Sequence, residues 1–289
     1  MKPAPFAYHA PGSLDEALGL LAGLENAKVL AGGQSLVPML NFRYVIVDHL
    51  VDLARVEGLA GITIVNGAVR IGAMTRQCDI ERSAVVAEHA PLLQAALKHV
   101  GHRQTRNRGT IGGSLVHADP AAELPAVCAA CDATVEIAGK GGTRRVKFAD
   151  FGSGFMATVV EADEVVTAVE IPVWPKGHGF GFQEIARRHG DFAIAGAAAL
   201  LKIAADRTVT RTALALCGVT AMPIRLPEAE AALTGGPLDR AAVKRAVATC
   251  EGIEPIGDIH ATVDYRRHVA GVLLARAVRD AAAVCGITL

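Results

Sequence analysis

Apolar positions along the chain recur with two different periods, and the switches between them mark its elements. Leu14, Ala17, Leu18 and Leu21 recur at helical spacing, with Ser13 placed to cap and Glu16 three residues on, so Ser13 to Leu24 is predicted as a short amphipathic helix. Lys28-Val29-Leu30 predicts a strand that runs into Ala31-Gly32-Gly33-Gln34-Ser35, after which Leu36 to Leu40 opens another helix. His49 to Leu53, Ile62 to Ile64 and Ala68 to Ile71 predict strands, the last two joined by an Asn66-Gly67 hairpin turn.

Ala84 to Val100 is a run of helix formers broken at Pro91, and a polar, basic link follows from Gly101 to Gly109. Thr110 to Ser114 reads as a second glycine turn, Ala121 to Cys131 as a helix, and Thr134 to Ile137 and Asp163 to Ile171 as strands. Pro172 and Pro175 bracket Trp174, and Gly177, Gly179 and Gly181 follow, a composition that marks a domain boundary. Beyond it, Gly196 to Ala204 and Val209 to Val219 predict strands, while Pro227 to Leu233, Asp239 to Cys250 and Tyr265 to Ala283 predict helices. The last helix carries Ala270, Leu273, Leu274, Ala277 and Ala281 on one face, with Arg276 and Arg279 off its centre. This is an α+β pattern.

Length and composition narrow the function classes. The 289 residues are enough for two or three compact units. Hydrophobic residues make up 51 %, yet no run of about 18 apolar residues occurs, so no membrane span is expected. Lys plus Arg and Asp plus Glu balance at 29 each and aromatics are 4 %, which argues against a nucleic-acid partner. The N-terminal residues lack the apolar stretch of a signal peptide and the six cysteines have no framework spacing, so a cytoplasmic location is expected.

The chemistry concentrates at the two glycine pairs. Without a Cβ, the backbone can take positive φ and bring successive N–H groups to an anion, and neighbouring hydroxyls add donors. Ala31 to Ser35 and Thr110 to Ser114 both have this makeup, so two holds on one diphosphate are expected. The extended strings are more specific than the glycines. Ala31-Gly32-Gly33-Gln34-Ser35-Leu36-Val37-Pro38-Met39-Leu40, with Arg43 downstream, closely resembles the first FAD-binding signature of the molybdenum hydroxylase flavoproteins. Arg106-Asn107-Arg108-Gly109-Thr110-Ile111-Gly112-Gly113-Ser114, then Asp119-Pro120 and Glu123-Leu124-Pro125, is similar to their second signature. Phe155 to Thr158, Glu164 to Thr167, Ile171-Pro172, Gly190 to Ala193 and Asp264 to Arg266 extend the likeness over nearly the whole chain.

The family resembled comprises the medium chains of carbon monoxide dehydrogenase and its relatives, with the flavin domain also seen in xanthine dehydrogenase. The resemblance implies a two-subdomain FAD-binding domain of PCMH or vanillyl-alcohol-oxidase-like type over residues 1–175, with subdomains of about 1–57 and 58–175. A smaller α+β domain with an antiparallel sheet and helices follows over 176–289. By position it implies cofactor contacts at Ala31, Gly32, Gly33, Gln34, Ser35, Thr110, Ile111, Gly112, Gly113, Ser114, Asp119, Glu123, Val166 and Gln183. Ser114 stands where relatives often have Asn, and Gln34 where His also occurs; both keep a hydrogen-bonding side chain.

The implied function is electron transfer without a catalytic side chain of this chain's own. FAD here takes electrons from 2Fe-2S clusters on a small partner subunit, a large partner carries molybdopterin, and an external acceptor such as NAD, quinone or oxygen receives them. The assembly implied is a dimer of heterotrimers. The alternatives are a free-standing FAD oxidoreductase and an assembly subunit without flavin.

Other motifs carry less. Gly152-Ser153-Gly154-Phe155-Met156-Ala157 fits a loose dinucleotide fingerprint, but no continuous buried strand precedes it. Cys128 and Cys131 have CxxC spacing without a second pair, so they read as buried helix cysteines. His99 and His102 lack an acidic or cysteine partner, and His117 lies within the flavin string. Arg103, Arg106 and Arg108 read either as a solvated face or as a contribution to the dinucleotide or to a subunit contact.

Overall fold

The computed structural model describes all 289 residues. The first unit comprises β1 (Ala7–His9), α1 (Leu14–Gly23), β2 (Ala27–Leu30), α2 (Leu36–Asn41) and β3 (His49–Asp52). β3 lies between β1 and β2 and runs parallel to both. Ser13 caps α1 by accepting from the Glu16 amide at 3.2 Å, and the Glu16 carboxylate accepts from the Gly12 amide at 2.8 Å. Ala17, Leu18 and Leu21 of α1 pack with Val51 and Leu53 and also with Ala138 and Val165 of the next unit, which seats the small sheet on the larger one.

That larger unit contains β4 (Ile62–Val65), β5 (Ala68–Gly72), α3 (Gln77–Arg82), α4 (Ala84–His89), α5 (Pro91–Leu97), α6 (Arg103–Arg106), α7 (Ile111–His117) and α8 (Glu123–Ala130). It continues with β6 (Thr134–Gly139), β7 (Gly142–Lys147), β8 (Gly152–Gly154), β9 (Ala157–Thr158) and β10 (Val165–Pro172). Its antiparallel sheet has the order β4-β5-β10-β6-β7. Asn66 (φ 50°) and Gly67 (φ 75°) both adopt the left-handed conformation that the predicted two-residue hairpin needs. The apolar run from Ala84 breaks at Ala90, which is non-helical because Pro91 sterically excludes the α region for the residue before it.

Two sequence expectations are corrected here. Thr110 to Ser114 is not a turn: Thr110 caps α7, and both glycines lie in the helix's first turn. The small residues serve packing, since a Cβ on Gly112 would lie 2.5 Å from the Ala73 side chain. Gly179 and Gly181 are not linker but strand, for a related reason given below.

The last unit holds β11 (Gly179–Ala186), β12 (Ala193–Ile203), β13 (Val209–Cys217), β14 (Ile224–Arg225), α9 (Pro227–Leu233), α10 (Arg240–Ala248) and α11 (Val263–Val284). The strands form an antiparallel sheet in that order. A Cβ on Gly181 would overlap the Ala277 carbonyl, so the glycines let β11 lie directly on α11. β12 is buried on both faces. Ala197, Ala199 and Leu201, with Leu214 and Leu216 of β13, pack beneath α9, α10 and α11, whereas Ala198, Leu200, Ala213 and Ala215 join Phe182 in the core shared with α5 and α8. The C-terminal sheet is thus fused to the helices of the preceding unit. No helix is long and apolar enough to cross a membrane.

Arg266 ties α11 to the sheet. Its guanidinium, only 4 % exposed, donates to the carbonyls of Ile194 and Gly218 and pairs with Asp258. Replacing it leaves two enclosed carbonyls without a donor. Arg266→Met should therefore cost about 2–4 kcal/mol of unfolding free energy, read as a lower urea midpoint with unchanged slope.

Candidate functional site

β2 ends at Leu30, and the chain turns through Ala31 to Ser35 before α2 begins. Gly33 makes the turn with φ +73°, a conformation that L side chains resist. The backbone amides of Gly32, Gly33, Gln34 and Ser35 donate to no other protein group. Gln34 folds its Nε2 back toward the Gly32 carbonyl at 3.4 Å. Ala31, Gly32, Gly33 and Gln34, with Leu30, Val37, Pro38, Asn41 and Arg108, line an open groove of about 410 Å³. Free amides around a left-handed glycine form a concave donor set suited to an anion.

The second motif differs in its hydrogen bonds. Ile111 donates to the Thr75 carbonyl at 3.2 Å, Gly112 to Ala73 at 2.9 Å, Gly113 to the Thr110 hydroxyl at 3.1 Å, and Ser114 to the Thr110 carbonyl at 3.1 Å. Its amides are therefore occupied, against the expectation of two equivalent anion cradles. What it supplies is proximity: a Cβ on Gly113 would lie 3.3 Å from Ala31 Cβ, so α7 abuts the first motif. A Cβ on Gly32 would overlap the Arg108 carbonyl and lie 2.8 Å from Gly109 Cα, so the two motifs cross backbone to backbone. Gln77, missed by sequence reasoning, helps hold this crossing. It is 5 % exposed, its amide donates to the Gly109 carbonyl at 2.8 Å, and its side chain lies behind Gly109.

Ile111 and Val166 are enclosed in the core, with Val166 beside a β-bulge in β10, and neither side chain lines the groove. Asp119 closes a tight turn, accepting from the Ala121 amide at 2.8 Å, and sits four residues before Glu123. Glu123 is 7 % exposed in the first turn of α8. Burial pushes its carboxyl up to about 7, and Asp119 pushes the same way. Gln183 does not join the cluster. Its carboxamide donates to Asp280 of α11 at 2.6 Å, and strand alternation sends Glu184 to the other face, where its carboxyl comes against that of Glu123. Burial and the Glu123 charge push Glu184 up to about 9. Sequence reasoning missed Glu184 because β11 was not foreseen, so no face could be assigned to it.

The remaining motifs fall outside the groove or serve packing. Gly152 to Gly154 is β8, paired with β9, and no dinucleotide fingerprint is formed. Cys128 and Cys131 are buried, unpaired and held as thiols by burial. His99 packs on Phe182 at 5.3 Å and His102 on His189 at 6.0 Å, so each faces the C-terminal unit separately. Burial, with a smaller contribution from Lys28, holds His117 neutral against the pull of Asp119. Arg106 pairs with Glu81 and donates to the carbonyls of Val100 and Gly101, a structural use, whereas Arg108 lines the groove.

A dinucleotide diphosphate fits this site on two observations, the unbonded amides of the first turn and a floor at Gly32 that a single Cβ would fill. Gly32→Ala should force the crossing apart and weaken FAD binding by roughly tenfold or more, about 1.4 kcal/mol per decade. Gly236→Ala, whose new Cβ meets nothing within 4 Å, should leave binding unchanged. Flavin absorbance after gel filtration checks both.

Comparison with known proteins gives the site its context. Residues 4–174 match the model of the FAD binding domain in molybdopterin dehydrogenase, and residues 180–281 match the CO dehydrogenase flavoprotein C-terminal domain. The chain is 38 % identical over 283 residues to the 6-hydroxypseudooxynicotine dehydrogenase complex subunit alpha of Paenarthrobacter nicotinovorans, covering 97 % of this chain and 96 % of that one. It is 38 % identical over 285 residues to the carbon monoxide dehydrogenase medium chain of Afipia carboxidovorans, covering 98 % and 99 %. The solved carbon monoxide dehydrogenase of Hydrogenophaga pseudoflava, in a form lacking the Mo-pyranopterin moiety, superposes with a TM-score of 0.96 at 38 % identity, covering 99 % of this chain and 100 % of that chain. With both domain models matched and the fold shared end to end, the chain belongs to the FAD-binding flavoprotein family of the molybdopterin dehydrogenases.

Proposed function

We propose that this chain is the electron-transferring flavin subunit of a heteromeric molybdenum hydroxylase. The observation that carries this reading is the set of unbonded amides from Gly32 to Ser35, pressed against the Arg108–Gly109 backbone in a chain of this family. Bound FAD supplies a carrier that accepts electrons singly or in pairs and hands them on. The protein's own residues bind and orient it. The first turn's amides and the Arg108 charge hold the diphosphate, and the Thr110 and Ser114 side chains lie on the abutting helix start. Asp119 and Glu123 accept from hydroxyl groups.

The division of labour extends to the partners. No group of three or more His, Cys, Asp or Glu side chains is placed to hold a metal ion, and the cysteines are scattered. The proposal accordingly assigns 2Fe-2S clusters to a small partner, molybdopterin to a large one, and the final step to an external acceptor, in a dimer of heterotrimers. Six unpaired cysteines suit the reducing cytoplasm. Within the chain, the proposal divides a flavin domain over 1–175, with subdomains of about 1–57 and 58–175, from a C-terminal domain over 176–289.

Affinity capture of the tagged chain from its native host should bring down two further chains with iron and molybdenum, and the complex's substrate should bleach the flavin only in that assembly. A chain recovered alone, metal-free and fully active would overturn the proposal in favour of a free-standing oxidoreductase.

A further inference from the structure

Glu123 and Glu184 come from the two matched domains and meet side chain to side chain beyond the C-terminal end of α7. The register of the C-terminal sheet creates the space for this. Glu184 pairs across with Gly196, and Gly196 with Cys217, so the three share one row. Gly196 contributes no side chain, and a Cβ there would lie 2.7 Å from Cys217 Sγ. Next to this row the Gly218 amide donates to the Pro120 carbonyl at 2.7 Å, which pins the end of β13 to the Asp119–Glu123 segment. The two carboxyls are thus brought together by backbone bonds on both sides of the seam.

Two ionised carboxylates cannot hydrogen-bond each other, and Glu184 Oε2 is enclosed with no donor to satisfy it. The facing groups do not relieve this. Asp119 adds negative charge from the loop before α8, and Cys217 is held as a thiol from β13. His117 of α7 is held neutral, and His99 after α5 is likewise kept neutral by burial. Arg266 gives Nη1 to the Gly218 and Ile194 carbonyls and Nη2 to Asp258, and its buried Nε reaches no acceptor, Glu184 included. One proton between the two glutamates satisfies the geometry.

We propose that Glu184 is a positioning residue of the cofactor site: it retains a proton, donates it in a hydrogen bond to Glu123, and so keeps Glu123 anionic and oriented to accept from the cofactor's hydroxyl groups. This rests on the FAD reading and deepens it, because Glu123 is the contact and Glu184 acts through it. The sign of the pH dependence follows. Both carboxyls sit above the ordinary range, so the folded chain favours their protonated forms. The pair titrates in two steps, at about 7 and about 9: below the first both carboxyls carry a proton and Glu123 becomes a poorer acceptor, and above the second both are ionised and the two charges repel. Affinity for FAD is greatest between these limits.

The test uses the full-length chain stripped of flavin and titrated with FAD across this pH range, alongside Glu184→Gln and Glu123→Gln. Wild type should give a bell-shaped affinity profile. Glu184→Gln keeps a donor to Glu123 but cannot ionise, so it should retain neutral-pH affinity within about threefold and lose the alkaline limb. Glu123→Gln should weaken binding roughly tenfold at neutral pH. Infrared difference spectra of the flavin-free chain read the proton directly: midway between the two limits, at pH ~8, wild type should show a carboxylic-acid C=O band that Glu184→Gln lacks. An identical alkaline limb in Glu184→Gln, or no such band in wild type, would overturn the inference while leaving FAD binding intact. A wild-type chain that binds no FAD at any pH would instead overturn the reading beneath it.

Discussion

Backbone lies directly on backbone where Gly32 passes under Arg108 and Gly109, and the arrangement of the first two units depends on that contact. No side chain fits between them. The segment above is held from behind. Arg76 and Thr110 form an isolated bridge, the Gln77 amide bonds the Gly109 carbonyl, and Ile111 and Gly112 donate to Thr75 and Ala73 at the end of β5. The amides of the second motif are therefore consumed in fixing its position. The amides of the first motif remain free because its turn is held from outside. One glycine motif is an anchor and the other keeps its donors free, although their sequences look alike.

That distinction explains what the sequence could and could not reveal. Local rules were sufficient where local forces decide: Ser13 caps its helix, Asn66-Gly67 turns its hairpin and Pro91 breaks its apolar run. The Thr110 to Ser114 string was read as a turn because glycine pairs favour turns, yet a threonine cap and the packing demand of Ala73 make it helical. β7 escaped notice because Gly142-Thr143-Arg144-Arg145-Val146-Lys147 is an exposed, polar edge strand without a clear apolar alternation. β11 escaped because Gly179 and Gly181 resemble a linker until α11 is seen lying against them. A tertiary contact gives those glycines their meaning, and a single sequence does not contain it.

The same limit applies to the site residues. Gln183 and Glu184 are adjacent in sequence and opposite in space, one bonded to Asp280 and the other lying against Glu123. A resemblance carried over by position cannot separate neighbours on a strand; only the strand's face can. Ile111 and Val166 show a milder version. Both lie within motif strings, but their side chains are enclosed in the core and line no part of the groove.

The polarity of the site also bears on where along it the diphosphate of a dinucleotide would lie. Unbonded amides and Arg108 gather where the two motifs meet, whereas Asp119, Glu123 and Glu184 gather beyond the far end of α7. Seven helical residues separate the two, a rise of roughly 10 Å. One end attracts an anion, and the other accepts hydrogen bonds and repels one. A dinucleotide has a charged diphosphate and hydroxyl-rich sugars on either side of it, so sliding the ligand along α7 would bring phosphate oxygens toward carboxylates in a poorly solvated seam, where repulsion is strongest. Charge would thus fix the position of the diphosphate along the site, while either sugar could meet the carboxyls and the ring contacts must tell the two ends apart. Because the acidic end is completed by the C-terminal domain through Glu184, that domain would share in fixing this position as well as in covering the core.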